Sequence, residues 1–409
     1  MNPHDIPATS LMCTAGVPRS VSGRRIAVAA WMVTAVFILS NSATPLYVHW
    51  QHRFAFSAAV STIIFAAYIV GLIGALLLAA LLSDRFGRKA VLVSGFLLAM
   101  LACAVFSIAD SAYALVAARF LTGVAVGIIV STGMAVVVEV GGAERKRQAA
   151  QAASIAMVLG AGLGPLLAGA FAQVMAQPVP VIFGIELVLL ATALATVLAL
   201  PIPDVRSARI AWRLPSVLPQ HRLYLASGIA VFAPGLSATS FVLSLGPALL
   251  SRLLHVSSPL LAGGTACLMF MSATGVQLAV KSLPVRTILL IGATSTALAM
   301  VALTTAIHTE TPVVLLIAAS LAGMGQGLGQ LGGLSAIGMH VPDGQRTEAI
   351  SLLNIGAYVP AGLLPVASGF LMDHIGMGAG ATSFAAVLII GAAIAAYFVA
   401  THQPRSINF

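Results

Sequence analysis

Residues 57–82 carry no charged side chain, and neither do residues 90–109. Between these two runs stands a knot of charge, Ser83-Asp84-Arg85-Phe86-Gly87-Arg88-Lys89. An uncharged run of about 20 residues crosses the hydrocarbon of a bilayer as a helix, because there the backbone must satisfy its own N–H and C=O groups. Four charges in six residues cannot sit in hydrocarbon. The knot therefore reads as a tight polar turn that makes its two flanking helices antiparallel neighbours.

The same pattern recurs along the chain. It is 59% hydrophobic and 8% charged, against about 25% charged in soluble proteins. Apolar runs mark twelve spans near 26–48, 57–82, 90–109, 112–138, 149–175, 178–200, 223–250, 257–280, 285–307, 312–340, 348–372 and 379–401. Of twenty Lys and Arg residues, seventeen fall on one side, Arg53 and Arg252 on the other, and Arg119 inside a span. That asymmetry places both termini in the cytoplasm of a multi-pass protein of the cytoplasmic (inner) membrane. The net charge of +9 is thus a topology signal and does not call for a nucleic-acid partner. Three scattered cysteines suit neither a disulfide framework nor a metal site. The polar start is expected to be a tail, and the first span a retained helix.

Compared with itself, the chain repeats at an offset of 200 residues. Gly123 and Gly127 match Gly323 and Gly327; Gly162, Leu163 and Pro165 match Gly362, Leu363 and Pro365; Ile155 matches Ile355 and Gly169 matches Gly369. The expected organisation is a tail at 1–25, a six-helix bundle at 26–200, a polar linker at 201–222, a second bundle at 223–401 and a tail at 402–409. An all-α membrane protein of two pseudo-symmetric halves carries its site between them near the midplane, and rocking exposes that site to each side in turn.

Three segments then carry a resemblance. Ala80-Leu-Leu-Ser-Asp84-Arg85-Phe-Gly87-Arg88-Lys89 resembles the loop motif of the major facilitator superfamily, Gly-xxx-Asp-Arg-x-Gly-Arg-Arg/Lys, with Ala80 in place of the leading glycine. Arg119-Phe-Leu-Thr-Gly123-Val-Ala-Val-Gly127 is similar to its fourth-helix motif. Gly160-Ala-Gly162-Leu-Gly164-Pro165-Leu-Leu-Ala168-Gly169 resembles the fifth-helix motif of its drug–proton antiporters, with Ala168 for one glycine. The resemblance implies a twelve-helix transporter powered by the proton gradient without a cofactor. It also implies that Asp84, Arg88 and Glu139 latch the outward-facing state against the start of helix 11 near Glu348. Gly160, Gly164, Pro165 and Gly169 would then seal the outward path, although simple helix packing accounts for the same residues. For the charged cluster, the plain alternative is a solvated topogenic loop.

Two charges need an account of their own. Arg119 inside a span costs at least ~2.5–3.5 kcal/mol, so it either faces the bundle interior, in a coupling role, or snorkels to the outer end. Glu186 is the one acid well within a span, roughly 12 Å deep. It is the candidate proton carrier, or else a structural partner of Arg119. Well-known drug antiporters have an acid in helix 1, and this chain has Asn41, Ser42, Thr44 and Pro45 there.

The other intramembrane polar groups are mainly neutral. Asn41 and Thr44 share a face of span 1 at helical spacing, and Gln326 and Gln330 share one of span 10. Gln277, Asn354 and Tyr358 complete the candidate cavity set, with Phe232 and Phe270 as aromatic walls. Each polar group serves equally as interhelical glue. The Pro234-Gly235 and Gly246-Pro247 pairs in span 7 suit a bending, gating helix. Such a cavity fits amphipathic or weakly cationic organic molecules exported by a monomer in exchange for protons. Uptake of a sugar or other small metabolite is the second reading. No metal spacing, nucleophile elbow or phosphate loop points to an enzyme.

Overall fold

The computed structural model describes residues 23–202, 218–280 and 282–402. Most of the 1–25 tail, residues 203–217 of the linker, Lys281 and the 403–409 tail lie outside the described residues, as does the side chain of Asp84. Twelve helices are long and apolar enough to cross a membrane, and no strand occurs among the described residues. They are α1 (Gly23–Phe54), α2 (Ala58–Phe86), α3 (Arg88–Ile108), α4 (Ala112–Val140), α5 (Gly142–Val174) and α6 (Pro178–Ala199) in the first half. The second half holds α7 (Arg222–Arg252), α8 (Pro259–Val280), α9 (Val285–Thr309), α10 (Pro312–His340), α11 (Asp343–Ile375) and α12 (Met377–His402).

Local chemistry sets the helix ends. The Ser57 and Ser111 hydroxyls accept from the Val60 and Ala114 N–H groups and so cap α2 and α4. Pro178, Pro259 and Pro312 open α6, α8 and α10, where a missing N–H costs nothing. The charged knot is tighter than a polar loop. Helix α2 continues through Asp84 to Phe86, and the reversal falls on Gly87 alone, at φ 86 and ψ 148. A side chain is strained at that φ, which explains the glycine.

Packing repeats the sequence symmetry. In the first half α1 lies on α5, α2 on α4 and α3 on α6; in the second, α7 lies on α11, α8 on α10 and α9 on α12. The repeated glycines are the contact points. A Cβ at Gly123 would overlap the Tyr68 carbonyl of α2, and one at Gly323 would overlap the Met269 carbonyl of α8. Across the halves, α5 meets α8 and α11 meets α2. Gly169 abuts Pro259, and Gly369 abuts the first residues of α2, so the same pair of repeated positions serves both seams. Helix α7 remains one continuous helix through Pro234 and Pro247.

We call the side bearing Arg88 and Lys89 the basic face and the opposite side the far face. Inter-half hydrogen bonds gather at the far face: Ser258 Oγ donates to Gln173 Oε1 at 3.0 Å, and the Ala58 and Ala59 N–H groups donate to Asp373 at 3.0 and 3.1 Å.

Candidate functional site: a neutral central cavity beside a buried charge network

A cavity lies between the halves. Its lining residues come from α1, α2, α4 and α5 on one side and from α7, α8, α10 and α11 on the other. Asn41, Gln277, Gln326, Gln330, Asn354 and Tyr358, all expected from the sequence, reach it together with Tyr68 and Phe270. Among the described residues no Asp, Glu, Lys, Arg or His lines it. A fixed charge on a ligand would therefore find no counter-ion in the walls.

Two of the expected wall residues are elsewhere. Thr44 does not reach the cavity. It stands where α1 breaks after Ser42 into a 3₁₀ turn at Thr44–Leu46, at a Pro45 that has no N–H for the α-helical ladder. Thr44 is buried away from the cavity with its hydroxyl unpartnered. Phe232 is also buried outside the cavity; its backbone packs where a Cβ at Gly329 of α10 would sit.

Within the cavity, Gln277 Nε2 donates to the Gly327 carbonyl at 2.8 Å, which ties α8 to α10. Gln326 differs. Its side chain lines the cavity, while its Oε1 is buried without a hydrogen-bond partner. Such an orphaned acceptor costs about 1–3 kcal/mol.

Arg119 and Glu186 do not line the cavity. Arg119 is 0% exposed inside the first half, so it does not snorkel. Its Nε donates to Tyr47 Oη at 2.8 Å and its Nη1 to the Ser40 carbonyl at 2.6 Å. The guanidinium also lies over the Tyr47 and Phe65 rings, 5.3 and 5.8 Å from their centroids. Such cation–π contacts favour a desolvated cation. Glu186, 4% exposed on α6, makes no ion pair with Arg119. Its carboxylate accepts a long contact from Cys103 Sγ at 3.9 Å, with Ser42 and Arg119 as its other polar surroundings. A stack of Trp50, Phe106 and Phe183, with Phe106 and Phe183 4.6 Å apart, lies one turn nearer the far face than Glu186.

The charge network touches the cavity at two points. Phe65 both lines the cavity and receives Arg119 on its ring. Asn41 Nδ2 donates to Ser40 Oγ at 3.0 Å, and the Ser40 carbonyl is an Arg119 acceptor. Tyr47, Ser40 and Cys103 were not legible as partners, since their residue types are common and only helix rotation brings them to the charges.

At the basic face Arg88 pairs with Glu139. Both side chains are partly exposed, 28% and 42%, which holds such a pair to about 0–1 kcal/mol. The third member of the expected latch, Asp84, has its side chain outside the described set. Lys89 acts apart from this pair, its Nζ donating to the Leu198 carbonyl at 2.6 Å and so capping the end of α6. Arg286 does the same for α12, donating to the Ala400 carbonyl at 2.8 Å.

The fifth-helix motif divides in two. A Cβ at Gly160 or Gly164 would overlap the Thr34 or Ile38 carbonyl, so these glycines pack α5 against α1 within one half. Pro165 and Gly169 face the other half, where the Pro165 carbonyl fills the space beside Gly263 and Gly169 meets Pro259.

The family model of the Major Facilitator Superfamily matches residues 26–328 and 276–409. Solved structures share the whole architecture at low identity. The POT family transporter PepTSo superposes with a TM-score of 0.76 at 11% identity, covering 94% of this chain and 99% of that one. The nucleoside transporter NupG gives 0.71 at 12% identity, over 93% and 99% of the two chains. A D-xylose–proton symporter gives 0.68 at 16% identity, over 94% and 98%.

Proposed function

The chain belongs to the major facilitator superfamily, and on that footing we propose that it exports small amphipathic organic molecules, neutral or weakly cationic, in exchange for protons. It is a multi-pass membrane transporter by family and fold. The observation that carries the cargo class is the central cavity: aromatic and aliphatic walls and five side-chain amides, with no acidic or basic side chain among the described residues. Such walls bind an apolar body and orient it by a few hydrogen bonds. In this reading the basic face is cytoplasmic, and one chain forms the complete path as a monomer.

Glu186 is the proton carrier in this mechanism. It is buried within the first half with Arg119, Ser42 and Cys103 as its polar surroundings, so a shift of Arg119 changes the charge environment of its carboxyl. Cargo at Asn41 acts on Arg119 through Ser40, and cargo against Phe65 acts on the ring beneath the guanidinium. Rocking of the halves on the α2–α11 and α5–α8 seams then exposes the cavity to either side.

The amide cluster also favours a second reading, proton-coupled or passive uptake of a hydroxylated neutral molecule such as a sugar. Everted vesicles with an acidic interior separate the two. In antiport, a compound added outside collapses the gradient; in symport, it does so only when loaded inside. Glu186→Gln is expected to abolish this proton movement while binding changes by less than about threefold. Gln326→Ala is expected to weaken binding by about tenfold or more. Proton movement that survives intact in Glu186→Gln removes the carrier assignment.

A further inference from the structure

The charged turn at the end of α2 has a structural double at the opposite face. Helix α2 closes as Ser83-Asp84-Arg85-Phe86-Gly87, with Gly87 at φ 86, ψ 148 and its N–H donating to the Ser83 carbonyl at 2.9 Å. Helix α11 closes as Met372-Asp373-His374-Ile375-Gly376, with Gly376 at φ 91, ψ 154 and its N–H donating to the Met372 carbonyl at 3.0 Å. In each, an aspartate stands three residues before a left-handed glycine that opens the next helix at once, α3 in one case and α12 in the other. The second copy even has the leading glycine that the first lacks: Gly369 stands four residues before Asp373, where the first copy has Ala80. Sequence repetition at 200 residues conceals this pairing, because it relates α2 to α8 and so points to the stretch from Lys281 to Arg286.

The second copy is engaged. Both carboxylate oxygens of Asp373 accept from the first turn of α2, Oδ1 from the Ala58 N–H at 3.0 Å and Oδ2 from the Ala59 N–H at 3.1 Å. Ser57, in the same half as α2, takes the Val60 N–H. Two of the four N–H groups that a helix start leaves without intrahelical partners are therefore satisfied by the other half of the protein. The anion also meets the positive end of the α2 dipole. Beneath this contact Gly369 lets α11 approach closely, since a Cβ there would stand 2.5 Å from Thr62 Oγ1 and 2.9 Å from the Ala59 Cα.

We propose that Asp373 is a far-face latch, matched in design to the turn at Asp84, that holds the two halves together at this face and must let go of α2 for the far face to open. Helices α2 and α11 run antiparallel along one seam, and the end of α11 grips the start of α2 at the far face. The same antiparallel course would bring the end of α2 to the start of α11 when the basic face closes. Rocking on this seam separates one pair as it closes the other, which gives the transporter one latch for each state.

The test is the conformational population of the full chain, read by spin-label distances after the three native cysteines are replaced by alanine. Labels at Asp110→Cys and Thr309→Cys, both exposed at the far face, report its opening. Labels at Lys146→Cys and Leu283→Cys report the basic face. Asp373→Ala is expected to raise the far-open population about three- to tenfold, with the basic-face distance shortening in step. Asp373→Asn, which keeps the volume and one acceptor, is expected to shift it the same way by less, and it serves if the alanine variant does not fold. Asp84→Asn is expected to shift the populations oppositely. Wild-type distances in both Asp373 variants overturn the proposal, as does a shift in the same direction as Asp84→Asn or a lowered melting temperature with no directional change. The readout follows conformations alone, so its outcome is independent of cargo and coupling ion.

Discussion

The two halves share a backbone plan and differ in where they keep charge. At the positions 200 residues beyond Arg119 and Glu186 the second half has Ala319 and Ala386. Ala319 is fully buried in its half, as Arg119 is in the first, so the site exists twice and is charged once. Amides are distributed the other way. Gln277, Gln326, Gln330 and Asn354 face the cavity from the second half, and Asn41 alone does so from the first. The geometry thus divides labour: one half is built to hold a buried charge, the other to form hydrogen bonds with a neutral guest. A symmetric scaffold tolerates this because packing needs only the repeated glycines, which leaves the remaining interior positions free to diverge.

The division can be broken most severely at Arg119. Arg119→Leu removes two hydrogen bonds, two ring contacts and the cation near Glu186. A loss of about 2–6 kcal/mol is expected from the two buried acceptors left without their donor, seen as a sharp drop in melting temperature in detergent together with loss of transport. If stability is retained, the network is not what orders this half.

The shared plan is tested at a smaller scale by Gly123→Val and Gly323→Val. Each new side chain meets a carbonyl on the partner helix, that of Tyr68 or Met269. Each is expected to cost about 1–3 kcal/mol, and the two melting temperatures should fall by similar amounts. A large inequality would show that the symmetry of the fold does not extend to its energetics. The smallest effect belongs to Arg88→Gln, which breaks the half-exposed pair with Glu139. No more than about 1 kcal/mol of stability is at stake, and that loss should fade as salt is raised in the same melting assay.

Much of the architecture was legible because the bilayer acts on sequence locally. Charge is excluded from spans, helices are enforced within them, and bases collect on one side, so span number, order and pseudo-symmetry follow from the one-dimensional pattern. The lining of the candidate cavity was legible by residue type. Six of the seven polar side chains expected at the cavity line it, because polar groups in apolar spans turn inward. Thr44, at the 3₁₀ turn around Pro45 where α1 breaks, is the exception.

By itself, then, the sequence determined a twelve-helix, two-half membrane transporter with a polar seam and a pair of buried charges. Tertiary structure alone decided that Arg119 bonds to Tyr47 and the Ser40 carbonyl and not to Glu186, that this network stands beside the cavity without entering it, and that Asp373 caps a helix of the opposite half. The reason is physical. Hydropathy fixes how deep a residue lies, whereas its partners depend on the rotation of each helix about its axis and on the close approaches that glycines permit. Those are properties of helix pairs, often more than a hundred residues apart in the chain, that no local pattern records.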